Sequence, residues 1–546
     1  GNFNPTHRKP KFTDLNRLLP LLLALIGATL LSIGWPPLNY TPLLFVAWIP
    51  LLWMEEKVKG KWLFLGLTYL HLLIWNILTT WWIWHASGPG AIAAIVTNSL
   101  LMCLPWMGYR YLKNRKGIRF GLLGLIAGWM SFEYLHLQDW GLSWPWLTLG
   151  NGLATQPNWI QWYEYTGTSG GSLWIWIVNA LLFLQFRQRS LPADAPRKPY
   201  RWIALAAIGI PIGVSYWIKS TITIEKNDAS HEVVLLQPNI DPYEKVSSYT
   251  SFPEQLTQLI KSSEAGITDS TTLLIWPETA LYQLGGIGEK ELKERSQRFD
   301  SLWKFLARHP KMKLFTGVES YAVVKEKSIN SIPAPDWLQI PGTPSFLEAY
   351  NGAALLDSSG ARSFYHKSKL VPGVETLPGF LHILDAWFEK FGGTSGGYTP
   401  QQDRTVLESD DGFRLAPAIC YESIYGEHIS RYFKKEANLM VIITNDGWWQ
   451  NTSGHKQHWL YARLRAIENR RWVARSANTG ISGFIDPMGN EVSPQPYDTE
   501  ACIRFAIPIQ LNAPTFYAQT GDILSKLICA FLLGLWIWAF VTRRRS

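Results

Sequence analysis

Three polar residues stand where buried strands should end. Cys420 closes the apolar run Leu415 to Ile419, in Ala418-Ile419-Cys420-Tyr421-Glu422. Glu278 closes Leu274-Ile275-Trp276-Pro277-Glu278, and Lys367 sits in Tyr365-His366-Lys367-Ser368-Lys369 after another such run. A cysteine that attacks a carbonyl needs a base to take its proton and a cation to hold the thiolate and later the oxyanion. Glu, Lys and Cys supply those roles without a histidine. A site between a strand end and a helix N-terminus also favours negative charge on sulfur. Each residue has a plainer reading too: a small buried hydrophobe, a turn opener after Pro277, one solvated lysine among many. The other cysteines offer less. Cys103 and Cys529 fall inside apolar runs, and Cys502 lies in an alternating segment, Ala501 to Ile507. None of the four has metal or CxxC spacing, so no metal or cofactor is expected.

The elements that must position these residues lie in 219–522, where short β-branched runs alternate with amphipathic stretches. Strands are predicted at Val233–Gln237, Leu273–Trp276, Lys313–Gly317, Ala353–Asp357, Arg414–Cys420, Leu439–Thr444, Trp472–Ala477, Ser482–Asp486 and Cys502–Ile507. Helices are predicted at Pro253–Ser263, Glu289–Arg308, Ser423–Lys434 and Gln457–Arg470. That alternation argues for an α/β domain with strands buried on both faces. The Pro/Ser-rich 328–349 and the Gly-rich Gly392–Gly397 read as flaps over a site.

The rest of the chain is of another kind. It has 546 residues, 47% of them hydrophobic, with 29 Trp and a net charge of +9. Its cations cluster in short groups between long apolar runs, a membrane-protein pattern and not a nucleic-acid-binding one. Eight spans are predicted near 18–34, 40–54, 62–84, 90–109, 118–137, 172–186, 201–218 and 523–541, given about 20 residues per crossing. Every second connection is basic: Arg8 to Arg17, Lys57 to Lys61, Arg110 to Arg119, Arg187 to Arg201, and Arg543 to Arg545. By the positive-inside rule both termini are cytoplasmic and 219–522 lies on the other side, the periplasm where there are two membranes. The expected division is a seven-span membrane domain (1–218), an extracytoplasmic domain (219–522), and an eighth span with a basic tail (523–546).

Residues 138–165 crowd Trp140, Trp144, Trp146, Trp159, Trp162, Tyr163 and Tyr165 together. They read either as an interfacial aromatic belt or as a lipid-contacting floor beneath the second domain. Glu133, predicted within a span, is either a functional carboxylate or a structural partner of His136 or a neighbouring helix.

At these motifs the sequence resembles the carbon–nitrogen hydrolase (nitrilase) superfamily, and within it the apolipoprotein N-acyltransferases. The stretches that carry this are Trp276-Pro277-Glu278-Thr279, Tyr365 to Glu375, Cys420-Tyr421-Glu422, Thr444 to Trp449, Gln457-His458 and Ala462 to Glu468. The resemblance covers nearly the whole chain. It implies an αββα four-layer sandwich inserted between the seventh and eighth spans, with Glu278, Lys367 and Cys420 as a catalytic triad. Glu375, Tyr421 and Glu422 are implied as supporting residues, and Trp146, Trp144, Tyr243 and Trp448 are the candidate lipid contacts. It further implies a bacterial inner-membrane enzyme of lipoprotein maturation. Such an enzyme takes an acyl chain from a phospholipid, with phosphatidylethanolamine the expected donor, onto cysteine as a thioester. It then passes that chain to the N-terminal amine of an S-diacylglyceryl-cysteine lipoprotein. The alternative is a membrane-tethered amidase of the same superfamily acting on a small amide, which would need no tryptophan-rich floor.

Overall fold

The structure is a computed structural model. It describes residues 12–138, 140–141, 143–190, 192, 196–224, 230–242, 251–324, 338–339, 343, 345–376, 397–509 and 512–542.

The first part is helical: α1 (Phe12–Gly34), α2 (Ile49–Lys57), α3 (Lys61–Thr80), α4 (Gly88–Leu101), α5 (Cys103–Lys116), α6 (Ile118–His136), α7 (Thr168–Arg187) and α8 (Tyr200–Thr221). Among the described residues five helical stretches are long and apolar enough to cross a membrane: Lys61–His85, Gly88–Lys116, Thr168–Ser190, Tyr200–Thr221 and Ile523–Val541. Leu18–Gly34 is a shorter apolar helix. Lipid gives no hydrophobic drive to helix association, so close packing of large side chains must supply it. Trp48 does this at the centre, with Trp75, Trp106, Trp129 and Trp176 at ring distances of 5.6, 5.7, 4.9 and 4.9 Å.

The predicted second span, 40–54, is not one helix. Proline near the start of each piece leaves a five-residue 3₁₀ helix, Thr41–Phe45, and then α2, whose nine residues reach only about 14 Å. Irregular backbone at membrane depth survives only inside protein. Here Asn179 of α7 satisfies it, accepting from the Trp48 amide at 3.0 Å and donating to the Leu44 carbonyl at 2.8 Å.

The basic connections gather at one end of this bundle. Lys113 pairs with Glu55 and Glu56, Arg187 reaches Glu56 at 3.3 Å, and Lys116 donates to the Thr542 carbonyl at 2.9 Å. The α/β domain sits at the opposite end.

That domain holds two sheets. The first contains β1 (Ser230–Gln237), β2 (Thr271–Ile275), β3 (Ile287–Gly288), β4 (Lys313–Val324), β5 (Leu338–Gln339), β6 (Phe346–Asp357), β7 (Gly360–His366) and β14 (Ala501–Pro508), along the path β14-β1-β2-β4-β6-β5 with β3 on β4 and β7 on β6. The second runs β13-β12-β11-β10-β9-β8, from β8 (Leu407–Glu408), β9 (Arg414–Ile419), β10 (Leu439–Thr444), β11 (Trp472–Ala477), β12 (Gly483–Ile485) and β13 (Glu491–Val492). Alternate residues of β1 show why two layers of core form: Val233 and Leu235 face the second sheet, while Val234 and Leu236 face α9 (Phe252–Glu264) and α10 (Asp300–Arg308). Helices α11 (Gly426–Lys434) and α12 (Ser453–Asn469) cover the second sheet, completing the αββα order, and α13 (Ile523–Val541) returns to the bundle beside α6.

Several predicted elements differ in detail. Glu289–Arg308 is broken, because Arg295 takes a positive φ of 55° between a short helix at Glu289–Lys293 and α10. The predicted Ser423–Lys434 helix opens as a 3₁₀ helix, Cys420–Ile424, before α11. The strand expected before Lys367 was given no bounds and is β7, and Phe346–Ala349 of the predicted 328–349 flap belongs to β6. Most of 328–345 and Gly392–Ser395 with Gly396 lie outside the described residues.

Helix α12 is buried on two faces. Trp459, Ala462 and Ala466 pack on the second sheet, while Tyr461, Leu464 and Ile467 pack into the membrane bundle. The spacing of three and four residues puts each set on its own side. Gln457 at its start accepts from the indoles of Trp146 (2.7 Å) and Trp82 (3.2 Å) and donates to the Pro36 and Thr79 carbonyls at 2.9 and 3.1 Å. Replacing Gln457 by Leu leaves the Trp146 N–H and the Pro36 carbonyl buried without partners. The expected loss is about 1–3 kcal/mol per group, read as a lower Tm of the detergent-solubilised protein. An unchanged Tm would show that this junction does not hold the two parts together.

Candidate active site

The three sequence-predicted catalytic residues converge. Glu278 follows β2, Lys367 follows β7, and Cys420 follows β9. The backbone of Glu278 passes so close to β4 that a Cβ at Gly317 would lie 2.5 Å from the Pro277 carbonyl oxygen and 2.7 Å from the Glu278 Cα. Only glycine fits there.

Lys367 is 1% exposed. Its Nζ donates to Glu375 Oε1 at 2.8 Å and lies 3.4 Å from Glu278 Oε1. Burial works against the ammonium. The carboxylates of Glu375 and then Glu278 outweigh it and push the Lys367 pKa up, so the side chain stays cationic. Both carboxylates are held elsewhere too. Asn351 Nδ2 donates to Glu278 at 2.9 Å and to Glu375 at 2.8 Å, the Asn445 amide donates to Glu278 Oε2 at 3.1 Å, and the Val371 amide donates to Glu375 Oε2 at 2.8 Å.

Cys420 has a φ of 51°, in the left-handed region that costs a non-glycine residue about 1–3 kcal/mol. Its neighbour Glu422 is fully buried and accepts from the Ile419, Ser368 and Lys369 amides at 2.8, 2.6 and 3.1 Å and from the Tyr365 hydroxyl at 2.7 Å. Burial raises the Glu422 pKa against those donors. This carboxyl group therefore staples the cysteine turn to the Lys367 loop and does not face a substrate. The Cys420 thiol is pushed up, by burial first and by the Glu278 charge next, with Lys367 and the Thr444 side chain opposing. Burial therefore favours the neutral thiol over the thiolate.

A second buried cluster stands behind the turn, and the sequence reading gave it no role. His458 Nε2 lies 2.8 Å from Ser423 Oγ and 3.2 Å from the Cys420 carbonyl oxygen, and its Nδ1 lies 3.0 Å from Asp446 Oδ1. Asp446 also takes Arg475 at 2.7 Å and the Thr444 hydroxyl at 2.8 Å. Burial opposes the Asp446 carboxylate, but Arg475 and His458 hold its carboxyl well below the usual range. These residues fix the Cys420 carbonyl. Asp446 and His458 lay in stretches that carried the family resemblance without a role of their own, and Arg475 stood out only as a charged residue inside β11. Asn351 was missed as well.

Of the other assigned residues, Tyr421 donates to the Ser143 carbonyl at 3.0 Å and stacks on Trp144 with centroids 6.1 Å apart. Trp144 stacks in turn on Trp146 at 5.6 Å. The expectation that Trp146 touches lipid is corrected: it is 0% exposed, enclosed by Trp82, Trp449, His458 and Tyr461. Its role is in the junction. Trp448 lies, partly exposed, in the 3₁₀ turn Asp446–Trp449, and Tyr243 lies outside the described residues. The 138–165 loop is a docked floor. Arg470 at the end of α12 donates to Gln161 and to Glu164 Oε2, at 2.6 and 2.7 Å. Glu133 is a structural acceptor for the Trp129 indole and the Leu149 amide, both at 2.8 Å. Cys502 sits in β14 of the first sheet, beside Gly266.

An αββα sandwich with a buried Glu–Lys pair and a cysteine at the end of a central strand is an arrangement of the nitrilase-like class. Residues 233–514 match the carbon–nitrogen hydrolase family model, and the chain belongs to that family. Residues 27–181 match the model of the apolipoprotein N-acyltransferase N-terminal domain. The apolipoprotein N-acyltransferase of Chlorobaculum tepidum is 28% identical, with 97% of this chain and 98% of that protein covered. That of Geobacter metallireducens is 27% identical over 94% of each. The crystal structure of Nit3 from Saccharomyces cerevisiae, a member of branch 10 of the nitrilase superfamily, aligns at 17% identity and a TM-score of 0.35, covering 52% of this chain and 91% of that one.

Because the thiol is held above its ordinary pKa of 9, alkylation of Cys420 by iodoacetamide is expected to keep rising with pH beyond 9. Peptide mass spectrometry of the labelled protein follows it. A plateau near neutral pH would show a stored thiolate instead.

Proposed function

We propose that this protein is a phospholipid:apolipoprotein N-acyltransferase that works through a thioester on Cys420. The observation that carries this reading is the placement of the nucleophile: the turn bearing Cys420 packs, through Tyr421, directly onto the Trp144 floor of the membrane bundle.

In the first half-reaction Glu278 takes the Cys420 proton as sulfur attacks an acyl ester carbonyl of the phospholipid. The Lys367 ammonium faces the oxyanion. The C–O bond then breaks, and the leaving lysophospholipid oxygen receives the proton back from Glu278. In the second half-reaction the α-amino group of the S-diacylglyceryl cysteine attacks the thioester. Glu278 takes the amine proton, and the sulfur leaves and is reprotonated. Phosphatidylethanolamine is the donor in this reading. Both substrates are anchored in one leaflet, and a site at its surface avoids drawing acyl chains into water, at about 0.8 kcal/mol per CH₂.

For the topology we propose seven crossings in residues 1–218, the catalytic domain in 219–522 on the periplasmic side of a bacterial inner membrane, and an eighth crossing in 523–546, with both termini cytoplasmic. The parity of the basic connections supports this, as does their collection at the end of the bundle away from the sandwich.

Intact-protein mass spectrometry after incubation with phosphatidylethanolamine alone tests the mechanism. An acyl-sized, hydroxylamine-labile adduct is expected on the wild type and not on Cys420→Ala. Lys367→Met and Glu278→Gln are expected to slow its formation at least about 10²-fold. Turnover of a lipoprotein acceptor without any such adduct would sink the thioester. Lipid-independent hydrolysis of small amides would turn the reading toward a membrane-tethered amidase.

A further inference from the structure

Three side chains behind the Cys420 turn stand in the order of a hydrolase triad. Ser423 Oγ lies 2.8 Å from His458 Nε2, and His458 Nδ1 lies 3.0 Å from Asp446 Oδ1. They come from separate elements: the 3₁₀ helix Cys420–Ile424, α12, and the turn after β10. They are no second nucleophilic centre. Ser423 is 1% exposed, and His458 and Asp446 are 0% exposed. The Ser423 hydroxyl is also committed, donating to the Cys420 carbonyl oxygen at 2.9 Å. The object of this cluster is the main chain of Cys420.

The contacts at the two ring nitrogens decide where the His458 proton sits. Arg475 Nη2 lies 2.9 Å from Nδ1, and a guanidinium can only donate, so Nδ1 accepts. The Cys420 carbonyl oxygen lies 3.2 Å from Nε2 and can only accept, so Nε2 carries the proton. Asp446 Oδ1 favours the reverse, since it too faces Nδ1. Its carboxylate is already answered by Arg475 on Oδ2 at 2.7 Å and by the Thr444 hydroxyl on Oδ1 at 2.8 Å. Burial, opposed by Asp446 and assisted by Arg475, keeps the imidazole neutral. With one proton, on Nε2, each group has one direction. Arg475 donates to His458, His458 to Ser423 Oγ, and Ser423 to the Cys420 carbonyl. Hydrogen bonds aligned head to tail in this way strengthen one another.

This chain acts on a residue in an unfavourable conformation. Cys420 has a φ of 51°, a region that suits glycine and not a residue with a Cβ. On one side Ile419 is held in β9 by its pairing with Ile443 of β10. On the other side the Cys420–Tyr421 peptide is planar, so fixing its carbonyl fixes the ψ torsion of Cys420. With both torsions set, the direction of the Cα–Cβ bond, and so of the sulfur, is set against the strand end.

We propose that Ser423 and His458 are positioning residues for acyl transfer. Their chain of hydrogen bonds, starting at Arg475, holds Cys420 in its left-handed conformation and aims the sulfur at the acyl carbonyl. Neither side chain touches substrate. The proposal rests on the acyl-transfer reading and adds the groups that orient its nucleophile.

The test uses the detergent-solubilised protein with phosphatidylethanolamine in mixed micelles. Acyl-enzyme formation is followed by intact mass over a range of lipid concentrations. Glutamine can place an N–H where His458 has Nε2, whereas asparagine is one carbon shorter and cannot. His458→Asn is expected to lower the limiting rate at least about tenfold, with the half-saturating lipid concentration unchanged, and His458→Gln to recover most of it. Ser423→Ala is expected to lose less, because His458 Nε2 then serves the carbonyl directly. Equal loss in both His458 variants, in step with a fall in Tm, shows packing alone and overturns the proposal. A wild-type rate in His458→Asn overturns it too. A second arm reads the wild type itself, by nitrogen NMR of protein carrying isotope-labelled histidine, with the His458 signals assigned by their absence from His458→Gln. A protonated Nε2 beside a bare Nδ1 is expected. A protonated Nδ1 with a bare Nε2 reverses the chain and overturns the proposal. If the wild type forms no adduct, the acyl-transfer reading fails, while the spectrum still decides the direction of the chain.

Discussion

One buried ammonium set against two buried carboxylates constrains the α/β domain more than any other contact. Lys367, Glu278 and Glu375 are each less than a tenth exposed, and the cluster persists only because its remaining hydrogen-bonding capacity is met by Asn351, Val371 and Asn445. Removing one partner from such a group typically costs about 3–5 kcal/mol, because an uncompensated charge is left in a low dielectric. The partners come from both sheets. Lys367 and Asn351 are neighbours across β6 and β7, Glu278 ends β2 in the same sheet, and Asn445 ends β10 in the other. The ion cluster therefore bridges the two sheets, through the Asn445 amide on Glu278, at the edge of the apolar layer between them.

Cysteine 420 is fixed from the opposite side by polar contacts of the same kind. Glu422 ties its turn to the Lys367 loop, and His458 ties its carbonyl to Asp446 and Arg475. His458 lies on α12, the helix shared by the sheet and the bundle, with Trp146 and Trp449 against its ring at 5.8 and 5.5 Å. A displacement of the tryptophan floor thus reaches the Cys420 turn through one imidazole. The left-handed backbone of Cys420 is a conformation that needs such overdetermined surroundings.

What the sequence made legible followed from local pattern. Cys420 and Glu278 stood out because each ends an apolar run where a strand must stop, and β10 was bounded correctly because its residues are uniformly apolar or β-branched. The second span was read as one continuous helix because hydropathy counts apolar residues and not hydrogen bonds. The prolines break the helix, and only Asn179, more than a hundred residues away, makes the break tolerable. Asn351 and Arg475 were illegible for the same reason, since their partners are set by sheet pairing and packing. Trp146 was taken for a lipid contact because aromatic residues near a span end usually are, and nothing local shows that Gln457 caps its indole.

The charge balance of the site accounts for the second carboxylate. Lys367 is already neutralised in the resting protein, so it cannot also hold Cys420 as a stored thiolate, in keeping with the raised thiol pKa. In the proposed attack the proton moves from sulfur to Glu278, and the total charge of the buried cluster does not change. Glu278 becomes neutral as the negative charge appears on sulfur and then on the acyl oxygen. Lys367, released from Glu278, turns to that new charge while Glu375, at 2.8 Å, keeps it anchored. A lone Glu–Lys pair would leave the ammonium free to move when Glu278 took the proton. With Glu375 present, the electrostatic stabilisation is in place before the charge develops, the condition under which a buried cation lowers a barrier most.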